Sequence, residues 1–280
     1  MGFLPLTFAV SCWCPLVSAS WVLAWADEFT GSRLNETNWN VYSNVSEGRP
    51  PTWNQIELYT EENVRVENGA LVLSTRQQNI TFQNVAYNVT SGRVDSANKR
   101  NVTFGRLEIS AQLQNDAASG IHTAHWLLGY SCWPRGGEID IMECQSPHNA
   151  YSAAPQGAAA WQQATSTYHY GTQCGVDTHK RGGTSAWPPS PTPGLNFSSA
   201  FNVFAVEWNA TDLVFFINQQ QVNHVYSGMP GWSGPLLIPY WPMYIILSQA
   251  YMAKRPYGNP PPWAWPIEQR IDFVRLYEWQ

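Results

Sequence analysis

The stretch Glu138-Ile139-Asp140-Ile141-Met142-Glu143 constrains this chain more than any other. Three carboxylates sit in an otherwise apolar run that reads as a buried β-strand. Strand side chains alternate between faces, so Glu138 and Asp140 share one face while Ile139 and Ile141 point into a core. Strict alternation would then set Met142 beside the acids and send Glu143 inward, where an unpaired charge is costly. A β-bulge near Ile141–Met142 inserts one extra residue and returns Glu143 to the acidic face. Three acids gathered in this way form a chemical arrangement. A solvated acidic strip is the plainer reading; the apolar intervening residues and the preceding Trp133-Pro134-Arg135-Gly136-Gly137 count against it.

The rest of the chain agrees with a β fold. It shows no periodic repeat, heptad or long amphipathic helix, but short alternating runs separated by Gly, Pro, Asn and Ser, as in a sandwich or barrel. In residues 105–113, Leu107, Ile109, Ala111 and Leu113 face in, and Arg106, Glu108, Ser110 and Gln112 face out. Residues 63–75 read as a hairpin turned at Asn68-Gly69. An apolar run over 236–252 is interrupted by Pro239, Pro242, Ser248 and Gln249, so buried strands explain it better than a membrane span. The length of 280 residues suits one large sandwich domain.

Charged residues make up 12% of the chain, against about 25% in typical proteins. A net charge of -5 and the lack of any basic run argue against nucleic acid as a partner. The 15 Trp and 13 Tyr suit a neutral polar partner with apolar faces, such as a sugar, although the core of a large sandwich also uses aromatics. Residues 1–19 carry no charge and end Val17-Ser18-Ala19, which reads as a signal peptide with the mature chain starting near Ser20. An uncleaved anchor is the alternative, since the uncharged stretch runs on to Trp25. Asn35, Asn44, Asn79, Asn88, Asn101, Asn196 and Asn209 head Asn-x-Ser/Thr sequons, which fits a secreted glycoprotein. Cys12 and Cys14 leave with the leader. Of Cys132, Cys144 and Cys174, at most two can pair internally, and Cys144 with Cys174 is the pairing expected. His122, His125 and these cysteines match no standard zinc spacing.

Trp-Pro-x-x-Gly-Glu-Ile-Asp-Ile-Met-Glu resembles the catalytic strand of glycoside hydrolase family 16, in its bulged, laminarinase-like branch. Further segments are similar in the same order, from about residue 21 to 280. They include Trp25-Ala26-Asp27-Glu28-Phe29-Thr30-Gly31, Ser91-Gly92-Arg93, Ser166-Thr167-Tyr168-His169-Tyr170-Gly171 and Asp272-Phe273-Val274-Arg275-Leu276-Tyr277. The chain departs from the family in three places. Asn54-Gln55-Ile56-Glu57 exchanges acid and amide, His122-Thr123 replaces a Trp-Pro whose Trp commonly joins the sugar platform, and Ser248 replaces a usual Asn.

The resemblance implies an all-β jelly-roll sandwich of two curved antiparallel sheets with a concave substrate cleft, occupying residues 20–280. It implies a secreted, monomeric, retaining endo-glycoside hydrolase cleaving laminarin-type β-1,3-glucan. Glu138 would be the nucleophile, Glu143 the acid and base, and Asp140 the residue that orients Glu138. Retention needs two carboxyl groups about 5–5.5 Å apart. Three neighbouring carboxylates cannot all ionise freely, so one should hold a raised pKa, with Glu143 the natural candidate. Arg93, Trp126, Trp133 and His169 are the expected sugar-binding residues. No cofactor is required, but a structural calcium is expected at Glu28, the Gly69 carbonyl and Asp272. Mixed-linkage glucan, red-algal galactan, transglycosylation and a non-catalytic glucan recognition role stay open as alternatives.

Overall fold

A computed structural model describes residues 19–44, 55–114, 120–145, 164–175, 197–226, 237–252 and 262–280. The leader, residues 146–163 and 176–196, and with them the sequon at Asn196, lie outside these residues. In chain order the strands begin with β1 (Trp21–Asp27), β2 (Asn40–Val41), β3 (Leu58–Tyr59), β4 (Val64–Glu67), β5 (Ala70–Phe82) and β6 (Val85–Ser91). They continue with β7 (Arg93–Asp95), β8 (Asn101–Val102), β9 (Gly105–Gln112), β10 (Ile121–Gly129), β11 (Glu138–Gln145) and β12 (Thr165–His169). The last are β13 (Asn202–Trp208), β14 (Asp212–Ile217), β15 (Gln220–Tyr226), β16 (Met243–Tyr251) and β17 (Ile267–Trp279).

Two sheets stack face to face. One runs β15-β14-β13-β9-β17-β5-β6-β3, with β1 on β17 and β4 on β5; the other runs β12-β11-β10-β16-β7-β2, with β8 on β16. The arrangement is the jelly-roll sandwich expected from sequence. Between the sheets, Leu107, Ile109, Phe204 and Val274 meet Leu127, Ile139, Ile245 and Leu247 in one continuous apolar core. The alternation anticipated in β9 holds, with Leu107, Ile109 and Ala111 buried. The hairpin of β4 and β5 turns at Asn68 (φ 52°) and Gly69 (φ 74°), two left-handed residues as a two-residue hairpin turn requires. The apolar run over 236–252 supplies β16, whose inward side chains are buried. No helix among the described residues is long and apolar enough to cross a membrane.

Polar groups tie the layers at defined points. Asp27, closing β1, accepts hydrogen bonds from the Phe29 amide, Asn38 Nδ2 and Trp39 Nε1, which fixes the chain entry. Glu57 is buried and accepts from the amides of Ile56 (3.1 Å) and Tyr251 (2.9 Å). Its exchange with the amide neighbour thus gives a tether to β16, not a sugar contact. His125 is fully buried, 2.9 Å from Gln269 Oε1 through Nε2. Gln269 Nε2 donates to the Ser248 carbonyl, so its Oε1 is the acceptor and His125 Nε2 carries the proton. Burial depresses the His125 pKa to about 4, against the pull of the Gln269 hydrogen bond.

A depressed imidazole pKa stabilises the fold above the unfolded value of 6.5, and this stability is lost as pH falls towards about 4. The loss amounts to roughly 3 kcal/mol at about 1.4 kcal/mol per pH unit. Urea unfolding between pH 7 and 4 is expected to show His125→Gln losing about that much less stability than the wild type; parallel curves would refute this origin of the acid sensitivity.

Candidate active site

The site lies on the face of the seven-stranded sheet that points away from the core, and a bulge in β11 builds it. His125 pairs with Met142 and Trp126 pairs with Asp140, leaving Ile141 as the extra residue. On the other side Asp140 pairs with Thr167 and Glu143 with Thr165, across the same irregularity. Ile141 and Met142 are therefore both buried, at 4% and 0% exposure, while Glu143 returns to the face of Glu138 and Asp140. This is the bulge expected from the sequence. His122 and His125, three residues apart on β10, point to opposite faces, so the pair cannot share a metal.

The loop before β11 explains the Trp133-Pro134-Arg135-Gly136-Gly137 run. The Gly129 amide donates to the Gly137 carbonyl (3.1 Å), and the amides of Gly136 and Gly137 donate to the carbonyls of Cys132 and Pro134. A Cβ on Gly129 would stand 1.9 Å from the Gly136 carbonyl oxygen, so the two backbones pass at a distance only glycine permits. Trp241 Nε1 donates to that same carbonyl at 2.7 Å. A disulfide joins Cys132 in this loop to Cys174 beyond β12. The expected Cys144–Cys174 pairing is thus corrected. Once the bulge turns Glu143 outward, alternation sends Cys144 into the core, where it is 2% exposed and a thiol outside any disulfide, with its pKa pushed up to about 12 by burial.

Register gives each acid a partner on β12: His169 opposite Glu138, Thr167 opposite Asp140 and Thr165 opposite Glu143. His169 Nε2 is 3.2 Å from Asp140 Oδ2, a charge contact without hydrogen-bond alignment, and its ring lies 6.1 Å from that of Trp133. Trp126, on β10, donates from Nε1 to Ser248 Oγ at 3.2 Å, so the serine that replaces the family's asparagine anchors the indole. Arg93 is buried, with its guanidinium 4.3 Å over Tyr42 and 5.3 Å over Trp126. The four expected sugar-binding residues therefore flank the acids. Thr167 and Tyr42 were not singled out from sequence; Thr167, two residues before His169 on one strand, could have been found by alternation.

The electrostatics divide the acids into two sets. Burial, then the charge of Asp140, holds the Glu138 carboxyl well above its usual range, with His169 opposing. Burial and the charge of Glu143 do the same to Asp140. Ligating atoms of Glu138 and Asp140 lie within 4.8 Å of each other, so ionisation of Asp140 opposes that of Glu138. Burial would also raise Glu143. It is outweighed by the hydrogen bond and charge of His122, the charge of His169 and the Thr167 hydrogen bond, and Glu143 is held below its usual value. The raised pKa expected for Glu143 thus falls on Glu138 and Asp140 instead, because His122 Nε2 stands 3.0 Å from Glu143 Oε1.

Two groups of residues invite a metal. Ligating atoms of Glu138, Asp140 and His169 lie within 4.8 Å of one another, but burial and neighbouring charge hold both carboxyls well above their usual range, against the ionised form a cation needs. The expected calcium set meets along β17: Asp272 belongs to it, Asp27 pairs with Val274 just before Glu28, and Leu71, after the Gly69 turn, pairs with Ile271. Both Glu28 oxygens accept from Arg275, at 2.8 and 2.9 Å. The Glu28 side chain thus does not fit a calcium site. A cation there would depend on Asp272 and on carbonyl oxygens.

The sequence matches Glycosyl hydrolases family 16 over residues 51–265. The chain belongs to that family. It is 29% identical over 283 residues to the "Beta-glucanase" of Rhodothermus marinus, covering 92% of this chain and 86% of that one. It is 26% identical over 282 residues to the "Glucan endo-1,3-beta-glucosidase A1" of Niallia circulans, covering 92% of this chain. Two of the curated relatives are much longer, and the chain spans only 34% and 38% of their lengths, the second being the Niallia protein. Among solved structures, the catalytic domain of an endo-1,3-beta-glucanase (laminarinase) from Thermotoga petrophila superposes with a TM-score of 0.77 at 26% identity, over 94% of this chain and 100% of that one.

Substituting Gly129 by Ala should force the loop away from β11 and weaken the fold by about 3 kcal/mol, the upper end for overpacking. Thermal unfolding checks this, and an unchanged melting temperature would show that the two backbones can separate freely.

Proposed function

We propose that the protein is a retaining endo-glycanase that cleaves β-1,3-glucan. The observation that carries this reading is the bulge at Ile141, which sets Glu138, Asp140 and Glu143 on one face of a family 16 strand. The names of its relatives, a laminarinase and two glucanases, support the substrate class.

Glu138 attacks the anomeric carbon as a carboxylate. For that, Asp140 must be the protonated member of the pair, its O–H donating to Glu138 and orienting it. Glu143 protonates the departing glycosidic oxygen and afterwards takes a proton from the water that releases the glycosyl-enzyme ester. Trp126 and Trp133 offer ring faces to the sugar, with Arg93 fixing Trp126 from one side and His169 beside Trp133. His122 stands where the family carries a platform Trp, and this favours testing mixed-linkage glucan and algal galactans beside laminarin. A recognition role without catalysis is disfavoured because both glutamates and the aspartate are present and converge. Export as a glycoprotein belongs to the same reading: the six described sequon asparagines, Asn35, Asn44, Asn79, Asn88, Asn101 and Asn209, are all exposed.

Reducing-sugar release should be measured on laminarin, mixed-linkage glucan, agar and carrageenan. The expected result is cleavage of laminarin, with Glu138→Gln lowering kcat by at least about 10⁴-fold, the scale seen when a covalent nucleophile is removed. Binding of laminarin without cleavage by the wild type would overturn the enzyme reading, and cleavage of another polymer alone would overturn the substrate.

A further inference from the structure

We infer that His122 is a positioning residue that shares the working proton of Glu143, so that the acid and base of this site is a carboxyl–imidazole pair. The inference rests on the reading of Glu143 given above and extends it to a residue that the family pattern replaces. His122 projects from β10 on the site face, two residues before Ala124, the cross-strand neighbour of Glu143. Its Nε2 stands 3.0 Å from Glu143 Oε1, with the two side chains 12% and 23% exposed, so water screens the contact only partly. A Trp at this position would offer a ring to the sugar and no basic nitrogen. His122 offers a second site for the proton.

The groups that face the pair are few. From β11 come Asp140 and Glu138, and from β12 come His169, which acts on Glu143 through its charge, and Thr167, whose side chain helps hold the Glu143 carboxyl below its usual range. β16 presents Ala250 opposite His122 and Ser248 opposite Ala124, neither of which titrates, and Arg93 on β7 pairs with Ser248. Among the described residues His122 alone makes a charge-assisted hydrogen bond of this length with the acid.

In such a pair one proton is distributed over two sites, and its loss is a property of the pair. With the proton on His122, Glu143 is ionised; with the proton on Glu143, His122 is neutral. Cleavage transfers that proton to the leaving oxygen, which departs with the bonding electrons while Glu138 forms the ester to the anomeric carbon. Attack of water breaks the ester, frees Glu138 and returns one proton to the pair. Protons and electrons balance over the cycle without any further reactant.

Two measurements test this, on His122→Phe and on His122→Gln, which retains a polar side chain if the aromatic replacement disturbs the strand. In the pH dependence of kcat/KM on laminarin, the alkaline limb should move to lower pH by about one unit in both variants, because the pair holds its proton more firmly than Glu143 alone. In carboxyl ¹³C NMR of protein labelled at Glu Cδ, assigned with Glu143→Gln, Glu143 should titrate at higher pH in the variants than in the wild type. Opposite movements of the two readouts are the signature of a shared proton. An alkaline limb that stays in place in both variants, even with a lower plateau, would reduce His122 to packing. Coincident Glu143 titrations would overturn the inference whether or not laminarin proves to be the substrate, because that measurement uses none.

Discussion

The exclusion of unpaired charge from the core is the constraint on which this structure depends. β11 lies with one face against the other sheet, and a regular strand would drive Glu143 into it at a cost of several kcal/mol. The chain instead leaves Ile141 without a partner in the ladder and buries it beside Met142. The loss of regular pairing at one residue is small compared with a buried carboxylate, so the irregularity is the lower-energy state. The acid set of the site is therefore a property of the backbone, and the side chains inherit it.

The same irregularity separates the acids electrostatically. Glu138 and Asp140, on the regular part of the strand, lie beside His169, with ligating atoms of all three within 4.8 Å of one another. Glu143, carried past the bulge, meets His122 from β10 and Thr167 from β12. Three carboxylates that would repel one another on a uniform strand thus fall into two neighbourhoods, one pairing two acids of raised pKa and one holding an acid against an imidazole. A double displacement needs such asymmetry, since one carboxyl must attack while the other donates.

Much of this was legible in the sequence because it rests on local rules. Alternation in β9, the Asn68-Gly69 turn and the bulge at Ile141 follow from where apolar side chains must go, and the chain obeys. What escaped depends on contacts between segments far apart. Cys144 sits next to Glu143 in the chain, yet the bulge that exposes the acid buries the thiol, and only the approach of the loop at Cys132 to the end of β12 shows which cysteines meet. The protonation order rests on such a contact too. His122 was visible as a departure from the family, but its distance from Glu143 depends on the pairing of β10 with β11. Similarly, Glu28 reads as a cation ligand until β17 brings Arg275 against it.

The disulfide has a consequence for the rim of the cleft. β12 is the outermost described strand of its sheet, and it supplies Thr167 and His169 to the site. An edge strand has an unpaired side and invites foreign partners. Here its end is held by the covalent link from Cys174 to Cys132 and by the Gly175 amide donating to the Trp133 carbonyl. A reducing medium would act on this rim before it reached the core, loosening the wall that carries His169 while the stacked sheets kept their packing. Oxidising surroundings, in this sense, supply part of the site's rigidity.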